Sequence, residues 1–81
     1  MLGELKTGAK VVGAKQVRRA IDSASALRVF LAVDADPKVT EPVELLCREK
    51  GVPMEKEATM KELGAACGIS VGAAVAALVK G

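Results

Sequence analysis

Apolar residues along this chain switch between two periods. Lys10-Val11-Val12 is a short β-branched run closed by Gly13, after which Val17, Ala20, Ile21 and Ala24 recur at i, i+3, i+4 and i+7. The first run predicts a strand and the second one face of a helix. Leu27 to Val33 is apolar except for Arg28 and short enough for a buried strand, and the turn-forming Asp34-Ala35-Asp36-Pro37 ends it. Val39, Val43, Leu46 and Cys47 then share a helical face, with Thr40 as its cap or Asp36 capping an earlier start. Pro42 fits that helix only in the first turn, where a missing N–H is not needed. Gly51 stops the helix, and Val52 to Met54 reads as a short strand with Pro53 at a sheet edge.

Thr59-Met60-Lys61-Glu62 carries the Thr-x-x-Glu capping box, and Met60, Leu63, Gly64 and Cys67 form the buried stripe of a short helix ended by Gly68. Beyond Ile69-Ser70-Val71-Gly72, the Ala and Val run through Val79 predicts a final strand. A short helix before Ala9 is compatible with the pattern. The resulting order of strand, helix, strand, helix, strand, helix, strand predicts an α/β sandwich around a mostly buried sheet.

Composition narrows this. With 81 residues, 51% of them hydrophobic, the chain has material for one core, so residues 1–81 are expected to form a single domain. Phe30 is the one aromatic residue, so the core must be aliphatic, and base recognition by aromatic stacking is excluded. The apolar stretch Ala73 to Val79 is far too short to span a bilayer, and Glu4, Lys6 and Lys10 stand where a signal peptide needs an apolar run. A cytoplasmic protein is expected. Cys47 and Cys67 lack Cys-x-x-Cys spacing and the chain has no His, which suits packing thiols in a reducing compartment and no bound metal or cofactor.

Net charge is only +2, but its distribution is uneven. Lys6, Lys10, Lys15, Arg18, Arg19 and Arg28 face only Glu4 and Asp22 in the first thirty residues, while the middle of the chain is acid-rich. Such a patch attracts phosphate without making the whole protein adhesive. Within it, Gly13-Ala14-Lys15-Gln16 places a strand end against a helix start, where free N–H groups and the positive end of the helix dipole favour anions. With Val17, Ala20 and Ile21 turned inward, Lys15, Gln16, Arg18 and Arg19 face outward. Lys donates to guanine edges, Gln donates to and accepts from a base, and Arg19 suits phosphate. The same residues also fit the solvated face of an ordinary amphipathic helix.

Gly68-Ile69-Ser70-Val71-Gly72 sets two β-branched residues in a glycine-flanked loop. Ile69 and Val71 alternate about Ser70, which fits the approach to the last strand, or alternatively an apolar ledge for an unstacked base.

Together, Val12-Gly13-Ala14-Lys15-Gln16 with Arg19-Ala20, Val33-Asp34-Ala35-Asp36-Pro37, Lys61-Glu62-Leu63-Gly64 and Ala66-Cys67-Gly68-Ile69-Ser70-Val71-Gly72 follow the order and spacing of one family. Over nearly its whole length the chain resembles the bacterial, YbxF-type branch of the L7Ae/L30e family of ribosomal kink-turn-binding proteins. The resemblance implies a three-layer α/β/α sandwich with a mixed central sheet of about four strands. It implies binding to kink-turns, duplexes bent at a bulge beside tandem sheared G·A pairs in ribosomal or regulatory RNA, by a monomer that stabilises the bent form. Gly13, Ala14, Lys15, Gln16 and Arg19 match the family's RNA-contacting strand-to-helix motif, although archaeal and eukaryotic members usually carry Asn-Glu at the Lys15-Gln16 positions. Asp36 matches an acid beside a pocket for an extruded base, and Ile69, Ser70 and Val71 match the loop beside the bulge. Met60 stands where relatives often have Lys, and Lys61 is placed to contact phosphate.

Two other classes fit less of the sequence. A redox or hydrolytic enzyme using Cys47 or Cys67 lacks a His and a nucleophile motif, and a protein–protein adaptor leaves the basic helix start unexplained.

Overall fold

The computed structural model describes Leu5 and residues 8–80. Its strands are β1 (Lys10–Val12), β2 (Ala26–Leu31), β3 (Met54–Glu55) and β4 (Val75–Val79), and its helices α1 (Ala14–Asp22), α2 (Pro37–Lys50) and α3 (Met60–Ala66). The segment before Ala9, compatible with a further short helix, lies outside the described residues except for Leu5 and Gly8, of which Leu5 is buried.

The sheet runs β1-β4-β2-β3, so the last strand of the chain sits inside it. β4 is antiparallel to both neighbours, pairing Val12 with Ala76 on one side and Leu31 with Val75 on the other, while β2 and β3 are parallel. This is the mixed four-stranded sheet expected. Side chains alternate across it, as the pleat requires. Val29, Leu31, Val75 and Ala77 pack with Val17 and Ile21 of α1 and Val43 and Cys47 of α2. Phe30, Ala32 and Ala76 pack on the other face with Leu63, Ala66 and Cys67 and with Leu5. Two cores, one per face and aliphatic but for Phe30, make the three-layer sandwich.

Several local expectations change. Ala24 does not continue the buried stripe of α1; the helix ends at Asp22, and Ala24 is exposed with φ 60° in the turn toward β2. Leu27 is the extra residue of a bulge, since Ala26 pairs with Val79 and Arg28 with Leu78. It therefore points away from the core, and β2 stops at Leu31, short of the exposed Val33. β3 begins at Met54 rather than Val52, because the carbonyl of the preceding Pro53 accepts from Val29 N at 2.9 Å and starts the parallel ladder.

α2 begins earlier than the Thr40 alternative. Asp36 is its N-cap, with Oδ1 accepting from Lys38 N at 2.9 Å and Pro37 in the first turn. Pro42 consequently lies inside the helix, not in its first turn. Both Pro42 and Lys38 are exposed, so water can serve the Lys38 carbonyl that Pro42 cannot. The inward stripe is Thr40, Val43 and Cys47, while Val39 is exposed. At one turn per 3.6 residues, Thr40 lies roughly 20° around the helix from Cys47 and Val39 roughly 80°.

α3 follows its capping box: Thr59 Oγ1 accepts from Glu62 N at 3.2 Å, and Glu62 Oε1 accepts from Thr59 N at 2.9 Å. No helix among the described residues is long and apolar enough to cross a membrane.

Candidate nucleic-acid interface

Gly13 turns the chain from β1 into α1 with φ 99°, a conformation that glycine alone adopts without strain. Its amide donates to the Val75 carbonyl at 3.1 Å, and its carbonyl accepts from Val17 N at 3.0 Å. No side chain among the described residues caps this helix, and its first turn holds no acid. The N–H groups of Ala14, Lys15 and Gln16 and the positive end of the helix dipole are thus left to solvent or to an anion. Val17, Ala20 and Ile21 are buried, so Lys15, Gln16, Arg18 and Arg19 stand exposed, as their spacing predicts. Gln16 and Arg19 also line a shallow groove of ≈ 630 Å³ that reaches Ser23 and Lys80.

The second element is the loop between α3 and β4. Ile69 is 37% exposed and Val71 69% exposed, and β4 does not start until Val75. These side chains therefore are not the buried approach to a strand. Their backbone is held closely all the same. Ile69 N donates to Gly64 O at 3.1 Å and Ala73 N to Met60 O at 3.0 Å. A Cβ at Gly64 would run into the Val71 carbonyl, so the loop lies directly on α3. A loop packed this closely that still keeps two aliphatic side chains in water is unusual, because nothing in folding rewards their exposure.

Ile69, Ser70 and Val71 line a cleft of ≈ 430 Å³ together with Lys61, Met60 and Asp34. The acid of the cleft is Asp34, whose Oδ1 accepts from Met60 N at 2.7 Å. Asp36 is not among the lining residues; its carboxylate caps α2 instead. Asp34 and Gly64 are the residues of this region that sequence reasoning did not single out for function, while Met60 is marked there only as standing where relatives often have Lys. A glycine on the buried stripe of α3 was the available signal for the close approach at Gly64. No local signal distinguished Asp34 from Asp36.

The central position of β4 joins the two elements. Val12 pairs with Ala76 and Gly13 donates to Val75, so the start of α1 and the loop leading into β4 lie at the same end of the sheet. One element offers cations and free N–H donors, the other an apolar rim beside a cleft.

Thiol chemistry is placed elsewhere. Cys47 and Cys67 are buried in the two separate cores. Burial pushes both thiols above their ordinary range; nearby Glu44 adds to the shift at Cys47, while Lys10 partly opposes it at Cys67. A neutral, enclosed thiol is a poor nucleophile. Among the described residues, no group of three or more His, Cys, Asp or Glu is arranged to hold a metal ion.

Comparison with known proteins agrees with this architecture. Residues 3–81 match the ribosomal protein L7Ae/L30e/S12e/Gadd45 family. An RNA-binding protein of Geobacillus sp. (strain WCH70) is 45% identical over 76 residues, covering 94% of this chain and 93% of that protein. The RNA-binding protein YbxF of Geobacillus stearothermophilus is 42% identical over the same length, with the same coverage. Among solved structures, the Giardia lamblia 15.5kD RNA binding protein superposes with a TM-score of 0.92 at 33% identity, over 99% of this chain and 71% of that one. On sequence and on fold, this chain belongs to the ribosomal protein L7Ae/L30e/S12e/Gadd45 family.

Proposed function

We propose that this protein binds RNA without catalysing a reaction, and that it selects kink-turns, holding them in their bent form. The observation that carries the proposal is the Gly13 N to Val75 O hydrogen bond, which fixes an uncapped basic helix start beside the strand into which the exposed apolar loop runs. Such a surface meets both chemistries of a kinked duplex. Lys15, Arg19 and the amides of Ala14, Lys15 and Gln16 face phosphates and the G·A base edges, with the Gln16 side chain able both to donate and to accept. Ile69, Ser70 and Val71 face the nucleotide thrown out at the bulge, with Lys61 near its phosphate. Asp36 contributes by capping the start of α2.

In this reading affinity comes from phosphate neutralisation, and selectivity from the bend and the G·A pairs. Three relatives named as RNA-binding proteins support it, and the burial of Cys47 and Cys67 speaks against thiol chemistry. The protein acts as a cytoplasmic monomer, on kink-turns of ribosomal or regulatory RNA.

The test is a titration at fixed salt against three RNAs: a kink-turn, the same RNA with its G·A pairs replaced by Watson–Crick pairs, and a regular duplex of equal length. Tight binding to the first alone is expected. Equal affinity for the kink-turn and the duplex would remove the claim of selective recognition.

A further inference from the structure

Met60 is the point at which two separate segments meet. Its amide donates to Asp34 Oδ1 at 2.7 Å, which ties the start of α3 to the turn between β2 and α2. Its carbonyl accepts from Ala73 N at 3.0 Å, at the far end of the apolar loop. A Cβ placed on Gly72 would lie 3.1 Å from Met60 Cβ, so the loop backbone also rests on this residue. A continuous path therefore runs from the Asp34 carboxylate through Met60 to residues 72 and 73, along the cleft that Ile69 and Val71 line.

Asp34 does more than complete the local cap of α3. The reciprocal Thr59 and Glu62 bonds serve the amides of those two residues, and the amide of Met60, which they leave over, finds its acceptor in Asp34 from another segment of the chain. What Asp34 alone adds is the link across the fold, a carboxyl oxygen accepting from a helix-starting N–H at 2.7 Å. The loop needs such a support. Its first residue is held by Gly64 O and its last by Met60 O, whereas the exposed Val71 between them owes its position to the packing of backbone on Gly64 and Met60. A shift of Met60 would thus move the apolar rim.

We propose that Asp34 is a positioning residue for base recognition: by holding the Met60 amide it sets the geometry in which Ile69 and Val71 meet an extruded nucleobase. The proposal rests on the RNA-binding reading above for its ligand, but its mechanical part stands on the protein alone.

The experiment compares wild type, Asp34→Ala and Asp34→Asn, each first shown to be folded by circular dichroism. Amide hydrogen exchange is followed in the free protein. Affinity is measured for a kink-turn RNA and for the same RNA made abasic at the extruded position, at several salt concentrations. In Asp34→Ala, exchange at Ala73 should accelerate at least tenfold while Ala76 and Ala77 stay protected. The preference for the base over the abasic site should fall several-fold toward one, and the salt dependence should stay unchanged. Asp34→Asn, which keeps an oxygen acceptor, should retain most of both properties. A merely stabilising residue would leave the base-to-abasic ratio alone. If Asp34→Ala keeps its Ala73 protection, or keeps the ratio seen for wild type, the proposal is overturned. It is overturned equally if Asn and Ala lose the same amount, because the hydrogen bond would then not be the cause. Should wild type itself not distinguish base from abasic site, the base-binding reading fails, and the exchange data alone decide whether Asp34 positions the loop.

Discussion

Gly64 lies on α3 directly beneath the carbonyl oxygen of Val71, with no room between them for a Cβ. Glycine on a buried helical stripe costs about 1 kcal/mol relative to alanine, and here that cost accompanies a close seat for the loop. Gly64→Ala would recover the helical propensity but force backbone against backbone, an overpacking that costs about 1–3 kcal/mol. We expect net destabilisation in urea denaturation, together with weaker binding to bulged RNA. An unchanged midpoint would show that the loop moves aside freely.

At the helix start, charge and base-edge contacts should separate. Arg19→Ala removes one exposed cation, so binding to kink-turn and plain duplex should weaken alike, and the salt slope should drop by about one unit. Gln16→Ala should cost about 1–3 kcal/mol against the kink-turn and little against the duplex. Titrations at several salt concentrations read both. Wild-type affinity in Gln16→Ala would move base reading away from this helix.

Val71→Ser and Ile69→Ser address the apolar rim. Val71 is mostly exposed, so its replacement should leave thermal stability nearly unchanged. Loss of apolar contact should weaken RNAs with an extruded base by about 1 kcal/mol, roughly fivefold, at constant salt slope. Equal loss on a regular duplex would show that the loop does not read the bulge.

Buried thiols give the pH dependence. Cys47 and Cys67 are held above the ordinary thiol value of 9.0 in the folded protein, so above that pH the unfolded chain loses protons that the native one keeps. Stability is fully present below it and falls as pH rises through the raised folded values. Denaturation midpoints should therefore decline above about pH 9, and the decline should shrink in Cys47→Ala/Cys67→Ala, which itself loses packing. Thiol-reactive dye should label neither residue at neutral pH until the protein unfolds. Rapid labelling of the native protein would contradict their enclosure.

Period, turn chemistry and caps are local properties, and they were enough to determine the order of the four strands and three helices described between Lys10 and Val79, the Thr59 capping box, and the outward face of Lys15, Gln16 and Arg19. What stayed illegible were choices between near-equivalent local options. Local hydropathy favours Val39 for the stripe of α2 and leaves Thr40 as a cap, whereas packing of Val43 and Cys47 with Val29 and Leu31 goes with a rotation that buries Thr40. Asp34 and Asp36 stand two residues apart in one turn; the start of α2 claims Asp36, and only the arrival of α3 gives Asp34 its partner. Pro42 is accommodated inside a helix because tertiary burial of Val43 and Cys47 outweighs one lost hydrogen bond on the solvent side. The site itself is non-local. Residues 13–19 and 69–71 are at least fifty positions apart, and they share an end of the molecule because β4 inserts between β1 and β2, a pairing across the whole chain that no window of sequence contains.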